Sequence, residues 1–297
     1  MNYLPFAILA YLLNGISVTI SKFLLFKAIR NPLVYIFYIS LVSLLAILLV
    51  PFTHIPRTEV IIISSISTLL WTSGAYFLFH ALKIGQLSRV IPIVGTLIPL
   101  ILLIFASLTL AITAKEGQAV LILIMGLILI TLSDWRGDLS RKELIFELLS
   151  GLLFSLSYIF LRQAYLQDDF LTVLVWSRLI LFPVGVAILL SPKLRAEIFI
   201  RGKKSFPLVS SIGLVFIVGQ LTGGLSELLL LFSISLANPA LVNSLQGTQF
   251  VFLFAANFFL NKKYPQIFKM DQSLLILLTK FAGVAVIALG LYLLAFS

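Results

Sequence analysis

The chain has 297 residues, of which 61% are hydrophobic and only 11% charged, with a formal net charge of +10. A soluble domain carries about 25% charged residues, so this composition cannot cover a water-facing surface and the apolar excess must face lipid. The absence of cysteine excludes disulfides, thiolate metal sites and cysteine nucleophiles. The basic residues fall in short gaps between apolar runs, where they meet phospholipid headgroups rather than nucleic acid.

A bilayer core takes roughly 20 apolar residues as a helix. On that ruler the sequence predicts an all-α membrane protein of ten transmembrane helices, over 3–26, 32–52, 58–82, 86–112, 115–133, 142–165, 169–190, 206–236, 238–261 and 273–296. The first run has no basic start and no small-residue cleavage site after it, so it reads as a retained span rather than a signal peptide. Connections carry turn chemistry, among them Asn31-Pro32, Pro51 to Pro56, Ser191-Pro192 and Asn238-Pro239. Apolar runs are continuous rather than alternating, which argues against a β-barrel.

The polar break from Asp134 to Lys142 divides the chain into 1–133 and 143–297, five spans each. Gly95-Thr96 in span four aligns with Gly247-Thr248 in span nine. Spans five and ten share a small-residue spacing, Ala119 to Gly126 against Gly283 to Gly290. Five is odd, so a second copy would be inverted relative to the first. Inverted repeats are a common plan of secondary transporters, with the substrate site near the bilayer midplane.

Three charges sit well inside the predicted spans: Arg178, Glu227 and Lys280. An ionisable group in hydrocarbon costs at least roughly 2.5–3.5 kcal/mol, so it faces a partner or a wet cavity. Arg178 lies about 9 residues, roughly 14 Å, into span seven, and Glu227 lies equally far from the end of span eight, so the two can meet at one depth. Lys280 enters from the opposite face. In a transporter Arg178 would hold a carboxylate or phosphate, and Glu227 an amine or a coupling proton; the bland alternative is a structural ion pair, and for Lys280 a snorkelling side chain. Asn14, Trp71, Tyr76, Tyr158, Asn243, Gln246 and Gln249 complete the predicted substrate-binding set. The last three are spaced three apart, on one face of span nine, where interhelical hydrogen bonding is the competing role. Trp71 and Tyr76 stack on a substrate or simply pack. Pro92 and Pro99 interrupt the ladder of span four.

Ten spans in two halves resemble the EamA-type branch of the drug/metabolite transporter superfamily. The matching residues are Asn14-Gly15 and Ser21-Lys22 in span one, Gly85-Gln86-Leu87-Ser88 leading to Pro92 and Pro99 in span four, and Trp176-Ser177-Arg178 in span seven. The pattern departs from the family where Glu116 is displaced from a Gly-Glu pair, where Val251 stands opposite Pro99, and where Ser40 lacks the arginine that span seven keeps. The resemblance implies a carrier that alternates access, exporting amino acids or other metabolites by exchange or with protons. It places both termini in the cytoplasm. The charge distribution places them outside, since 15 of the 21 Lys and Arg lie in loops after odd-numbered spans and 3 in the others.

No phosphate-cradling loop, HExxH or GxSxG elbow occurs, and two histidines make no zinc site. The expectation is therefore not an enzyme and carries no cofactor or metal. It is a multi-pass protein of the cell (inner or plasma) membrane with a small-molecule substrate, lipid neighbours and a possible proton partner, as monomer or homodimer. Competing readings are a lipid or lipid-linked-sugar flippase and a non-transporting assembly subunit.

Overall fold

A computed structural model describes residues 3–29, 31–109, 112–133, 140–201, 211–263 and 274–295. The described chain is helical throughout, with no strand among the described residues. Its elements are α1 (Leu4–Lys27), α2 (Pro32–Ser43) continued by a tight 3-10 stretch (Leu44–Phe52), α3 (Thr58–Ile84), α4 (Leu87–Leu108), α5 (Ala114–Ser133) and α6 (Arg141–Tyr165). There follow α7 (Phe170–Leu179), α8 (Leu181–Leu190), α9 (Pro192–Ala196) with a π turn (Glu197–Arg201), α10 (Ser211–Leu236), α11 (Pro239–Ser244), α12 (Gly247–Lys263) and α13 (Leu274–Ala295).

Among the described residues seven helices are long and apolar enough to cross a membrane: Leu4–Lys27, Pro32–Phe52, Thr58–Ile84, Arg89–Leu108, Arg141–Tyr165, Phe170–Leu190 and Ser211–Leu236. The spans expected over 115–133, 238–261 and 273–296 are helices as well, though not counted among those seven; α13 contributes a shorter apolar stretch, Phe281–Leu294. Outward-facing side chains such as Leu48, Phe52, Leu108 and Leu190 are apolar and exposed, the surface a lipid solvent requires. The polar break expected at 134–142 lies outside the described residues as far as 139.

Local chemistry sets the helix ends. Asn31 caps α2, its Oδ1 accepting from Leu33 N–H at 3.1 Å, with Pro32 at the first helical position. Ser140 caps α6 by accepting from Glu143 N–H, Asp169 caps α7 by accepting from Thr172 N–H, and Asn238 caps α11 by accepting from Ala240 N–H. Span seven is broken at Ile180, two residues after Arg178. Pro183 explains the position of the break: it has no N–H to offer the carbonyl of Leu179, and its ring crowds that carbonyl. Pro92 and Pro99 leave α4 a single helix.

Three helix pairs form the bulk of the core: α3 with α6, α1 with α10, and α5 with α13, while α4 packs on α6 and α12 on α1. Glycines permit the close approaches. A Cβ on Gly126 would meet Ile287 Cγ1 at 2.7 Å and Ile287 N at 2.9 Å; one on Gly290 would meet Leu123 Cγ at 2.7 Å and Leu123 N at 3.0 Å. On α10, Gly219 fits Ile20 and Gly223 fits Ser17, whereas Gly224 has nothing within 4 Å. Buried hydroxyls tie the same pairs together. Ser17 Oγ donates to Gly219 O at 3.2 Å, and Ser157 Oγ to Ser67 O at 2.8 Å.

Candidate functional site

The first polar cluster is the one whose depth the sequence indicates. Arg178 of α7 donates from Nη2 to Glu227 Oε1 of α10 at 3.1 Å, with side chains 15% and 22% exposed. The guanidinium lies over the Trp71 ring of α3, 5.6 Å from its centroid, a cation–π placement. Thr68, one turn before Trp71, fixes α3 against α7 by donating to Ser177 O at 3.1 Å. Tyr158 and Tyr165 of α6 lie within electrostatic reach of both charges, and Tyr11 of α1 within reach of Glu227. Tyr11 in turn donates to Asn243 Oδ1 at 2.9 Å, and Asn243 donates to Pro239 O. Six helices (α1, α3, α6, α7, α10 and α11) thus supply groups to one polar centre.

Arg178, Glu227, Trp71, Tyr158 and Asn243 of the predicted set therefore come together. Tyr76 does not: its ring packs on His80 at 4.3 Å and on Phe77, further along α3, and serves packing. Asn14 is half-buried on α1, one turn beyond Tyr11. The shared face expected for Asn243, Gln246 and Gln249 is interrupted, because the helix breaks at Leu245–Gln246 between α11 and α12. Gln246 donates to Gln249 Oε1 at 3.3 Å, and among the described residues Gln246 Oε1 and Gln249 Nε2 are buried without a partner. Lys280 is on α13, and its side chain lies outside the described residues.

A second cluster was not foreseen, and it corrects the expectation that three charges occupy the span interiors. Arg89 at the start of α4 grips Glu143 at the start of α6 through three contacts of 2.6–3.0 Å, with side chains 6% and 3% exposed. Lys22 of α1, also buried, donates to the carbonyls of Leu82 and Gly85 at the end of α3. A Cβ on Gly85 would strike Glu143 Oε1, so this glycine makes the space the carboxylate occupies. One turn along α6, Glu147 is fully buried. The readable signal was the pair Glu143 and Glu147, four apart on one face inside an apolar helix. Arg89, a cation near a helix start, carries no such signal, since it could equally serve a lipid headgroup. At the far end of α6, Arg162 donates to Ile234 O and Ser235 O, closing α10 as Lys22 closes α3.

A third group joins exposed His54 and Asp169 to a half-buried Asp168: His54 Nε2 lies 3.0 Å from Asp168 Oδ1, and His54 Nδ1 lies 3.6 Å from Asp169 Oδ2. Trp176 donates to His54 O and so belongs to this loop rather than to the polar centre.

No family model matches the chain, and no curated protein does. The fold does have counterparts among solved structures. One crystal structure aligns over 97% of this chain and 93% of its own length at a TM-score of 0.62, with 13% identity; its description names no activity. The likeness concerns the fold alone.

Proposed function

We propose that the chain is a secondary transporter of the EamA type, built from two inverted five-helix repeats. It carries a small zwitterionic metabolite such as an amino acid past Arg178 and Glu227 by alternating access. The repeat is supported by contacts that recur with partners exchanged. Ser17 of α1 donates to α10, and Ser157 of α6 donates to α3. Lys22 follows Ser17 by five residues, as Arg162 follows Ser157, and each closes a helix. The carbonyls they reach, Leu82 and Ile234, lie fifteen residues after the carbonyls the serines reach, Ser67 and Gly219. The α5–α13 contact maps onto itself: Leu123 precedes Gly126 by three residues, as Ile287 precedes Gly290, and each glycine receives the other's neighbour. A two-fold relation gives such reciprocal contacts, and inverted halves place a carrier's site between them.

The observation that carries the substrate reading is how little of its hydrogen-bonding capacity the central pair uses. Arg178 has five N–H donors and spends one on Glu227; Glu227 Oε2 has no hydrogen bond among the described residues. Arg89 and Glu143, by contrast, are bound to each other three times over and nearly unexposed. In the second pair both carboxylate oxygens are already committed to the guanidinium. The first keeps a fork for a carboxylate and an oxygen for an ammonium, with Trp71 beside them. The test is a panel of zwitterions, simple anions and simple cations on the purified protein, scored by thermal stabilisation, which rises with [L]/Kd. Hits go to counterflow in proteoliposomes. Zwitterions should stabilise the protein and exchange, and Arg178→Lys and Glu227→Gln should each lose both effects. Absence of flux for every hit, or flux unchanged by both substitutions, would remove the reading.

A further inference from the structure

Glu147 stands apart from the other acids among the described residues. It is fully buried, and among the described residues neither of its oxygens has a hydrogen-bond partner. Ser150 Oγ, three residues along the same helix, is likewise buried without a partner. The charged groups acting on Glu147 are Glu143, one turn earlier, and Arg89 of α4. Lys22 of α1 acts on Glu143, and His80 of α3 packs on Phe146 beside it, with Lys83 exposed at the end of the same helix. Of the other helices packed on α6, α7 and α10 carry Arg178 and Glu227 in the central pair, and α11 carries no titratable group. Arg89 already gives three contacts to Glu143, and Lys22 spends its ammonium on the carbonyls of Leu82 and Gly85, so among the described residues no cation contacts the second carboxylate. An anion here would have lost its water and gained no partner; the neutral acid is far cheaper to bury.

From this geometry we infer that Glu147 is a proton-binding site, loaded while Arg89 clamps Glu143 and emptied to water when α4 and α6 part at this end. One proton leaves for the aqueous phase reached through that opening, and the carboxylate it leaves behind is hydrated there. The motion rests on the carrier reading; the proton does not, and it is measured without substrate. The full chain in lipid nanodiscs should give, at neutral pH, the infrared carbonyl band of a protonated carboxylic acid. Glu147→Gln should abolish that band and Glu227→Gln should leave it. Because the unfolded carboxyl ionises near pH ~4.3, the folded protein should also lose thermal stability relative to Glu147→Gln as the pH rises above that value. A band absent from the wild type, or surviving Glu147→Gln, overturns the proposal. Glu147→Leu is read if Glu147→Gln does not fold. Failure of both to fold also overturns it, since a side chain that is neutral here tolerates a neutral replacement. In proteoliposomes, flux that depends on a pH gradient in the wild type should lose that dependence in Glu147→Gln; a dependence that persists assigns the proton elsewhere. Flux without the band sinks this inference alone, and the band without flux sinks only the carrier reading.

Discussion

Alanine at Gly126 or Gly290 should destabilise the protein, while alanine at Gly224 should stabilise it. All three glycines lie inside helices, where Gly→Ala alone is worth about 0.5–1 kcal/mol in favour of alanine. At Gly224 nothing lies within 4 Å of the added methyl, so that gain should appear whole. At Gly126 the methyl would sit 2.7 Å from Ile287 Cγ1 and 2.9 Å from both Ile287 N and Gly283 O. Two of those neighbours are backbone atoms, so no rotamer change relieves the clash and the two helices must separate. Overpacking of this kind costs about 1–3 kcal/mol. At Gly290 the corresponding atoms are Leu123 Cγ, Cδ2 and N, at 2.7–3.0 Å, and the cost should match. The net expectation is a loss of about 1–2 kcal/mol at each of Gly126 and Gly290, which separates them from Gly224→Ala by about 2 kcal/mol. Equilibrium unfolding in mixed micelles of mild detergent and dodecyl sulfate resolves a difference of that size. If Gly126→Ala were as stable as Gly224→Ala, or if Gly126 and Gly290 differed as widely as either differs from Gly224, the reciprocal glycine packing would not be what holds α5 on α13.

Other expectations follow from the ion pairs and caps. Arg89→Met and Glu143→Gln should each cost about 3–5 kcal/mol, because each strands a buried charge, while the double substitution should cost far less than the sum; additivity within about 0.5 kcal/mol in the cycle would show the two do not interact. Lys22→Met and Arg162→Met should each lose about 1–3 kcal/mol, by leaving buried helix-end carbonyls unpaired, and hydrogen exchange should quicken at the ends of α3 and α10 respectively. Burial pushes the Asp169 carboxyl up, but hydrogen bonds from the Thr172 side chain and from the Thr172 and Leu171 N–H groups, with His54 nearby, outweigh it and hold the carboxyl below the usual range. Stability from that depression is present above the unfolded value of about 3.9 and lost as pH falls through the lower folded one. Asp169→Ala should therefore cost about 0.5–2 kcal/mol at neutral pH as a lost cap, and much less in acid; a cost that does not shrink in acid would assign the effect to packing.

The apolar stretches were legible because a bilayer imposes one length on every helix that crosses it. The meeting of Arg178 and Glu227 was legible for the same reason: in a spanning helix, distance along the chain is depth. Depth says nothing of azimuth, which is why Tyr76 could not be told from Trp71 although the two are five residues apart. It also could not reveal that Arg89 turns inward to Glu143, because a cation at a helix start serves a headgroup equally well. The break at Leu245–Gln246 has no proline to announce it, and the even spacing of Asn243, Gln246 and Gln249 suggested a continuous face instead. Gly85 read as part of a motif; its use, making room for Glu143, depends on a residue far away in sequence.

The two ends of the molecule are chemically unlike, and this difference gives the proposed repeat a direction. Arg89 lies seven residues after Leu82, and seven after Ile234 stands Leu241; Glu143 lies fourteen before Ser157, and fourteen before Ser17 stands Tyr3. Where one end is held by a buried ion pair between α4 and α6, the related positions at the other end are therefore a leucine and a tyrosine, both buried. Leucine has no titratable group and tyrosine ionises only well above neutral pH, whereas an ion pair with a second carboxyl one turn away responds to protons. On the carrier reading, in which two related halves rock, proton activity at the charged end would shift the balance between two conformations that identical halves would leave nearly equal. A ligand or proton can shift such a balance only by its differential affinity for the two states. Arg89, Glu143 and Glu147 are the residues through which this chain would acquire that difference.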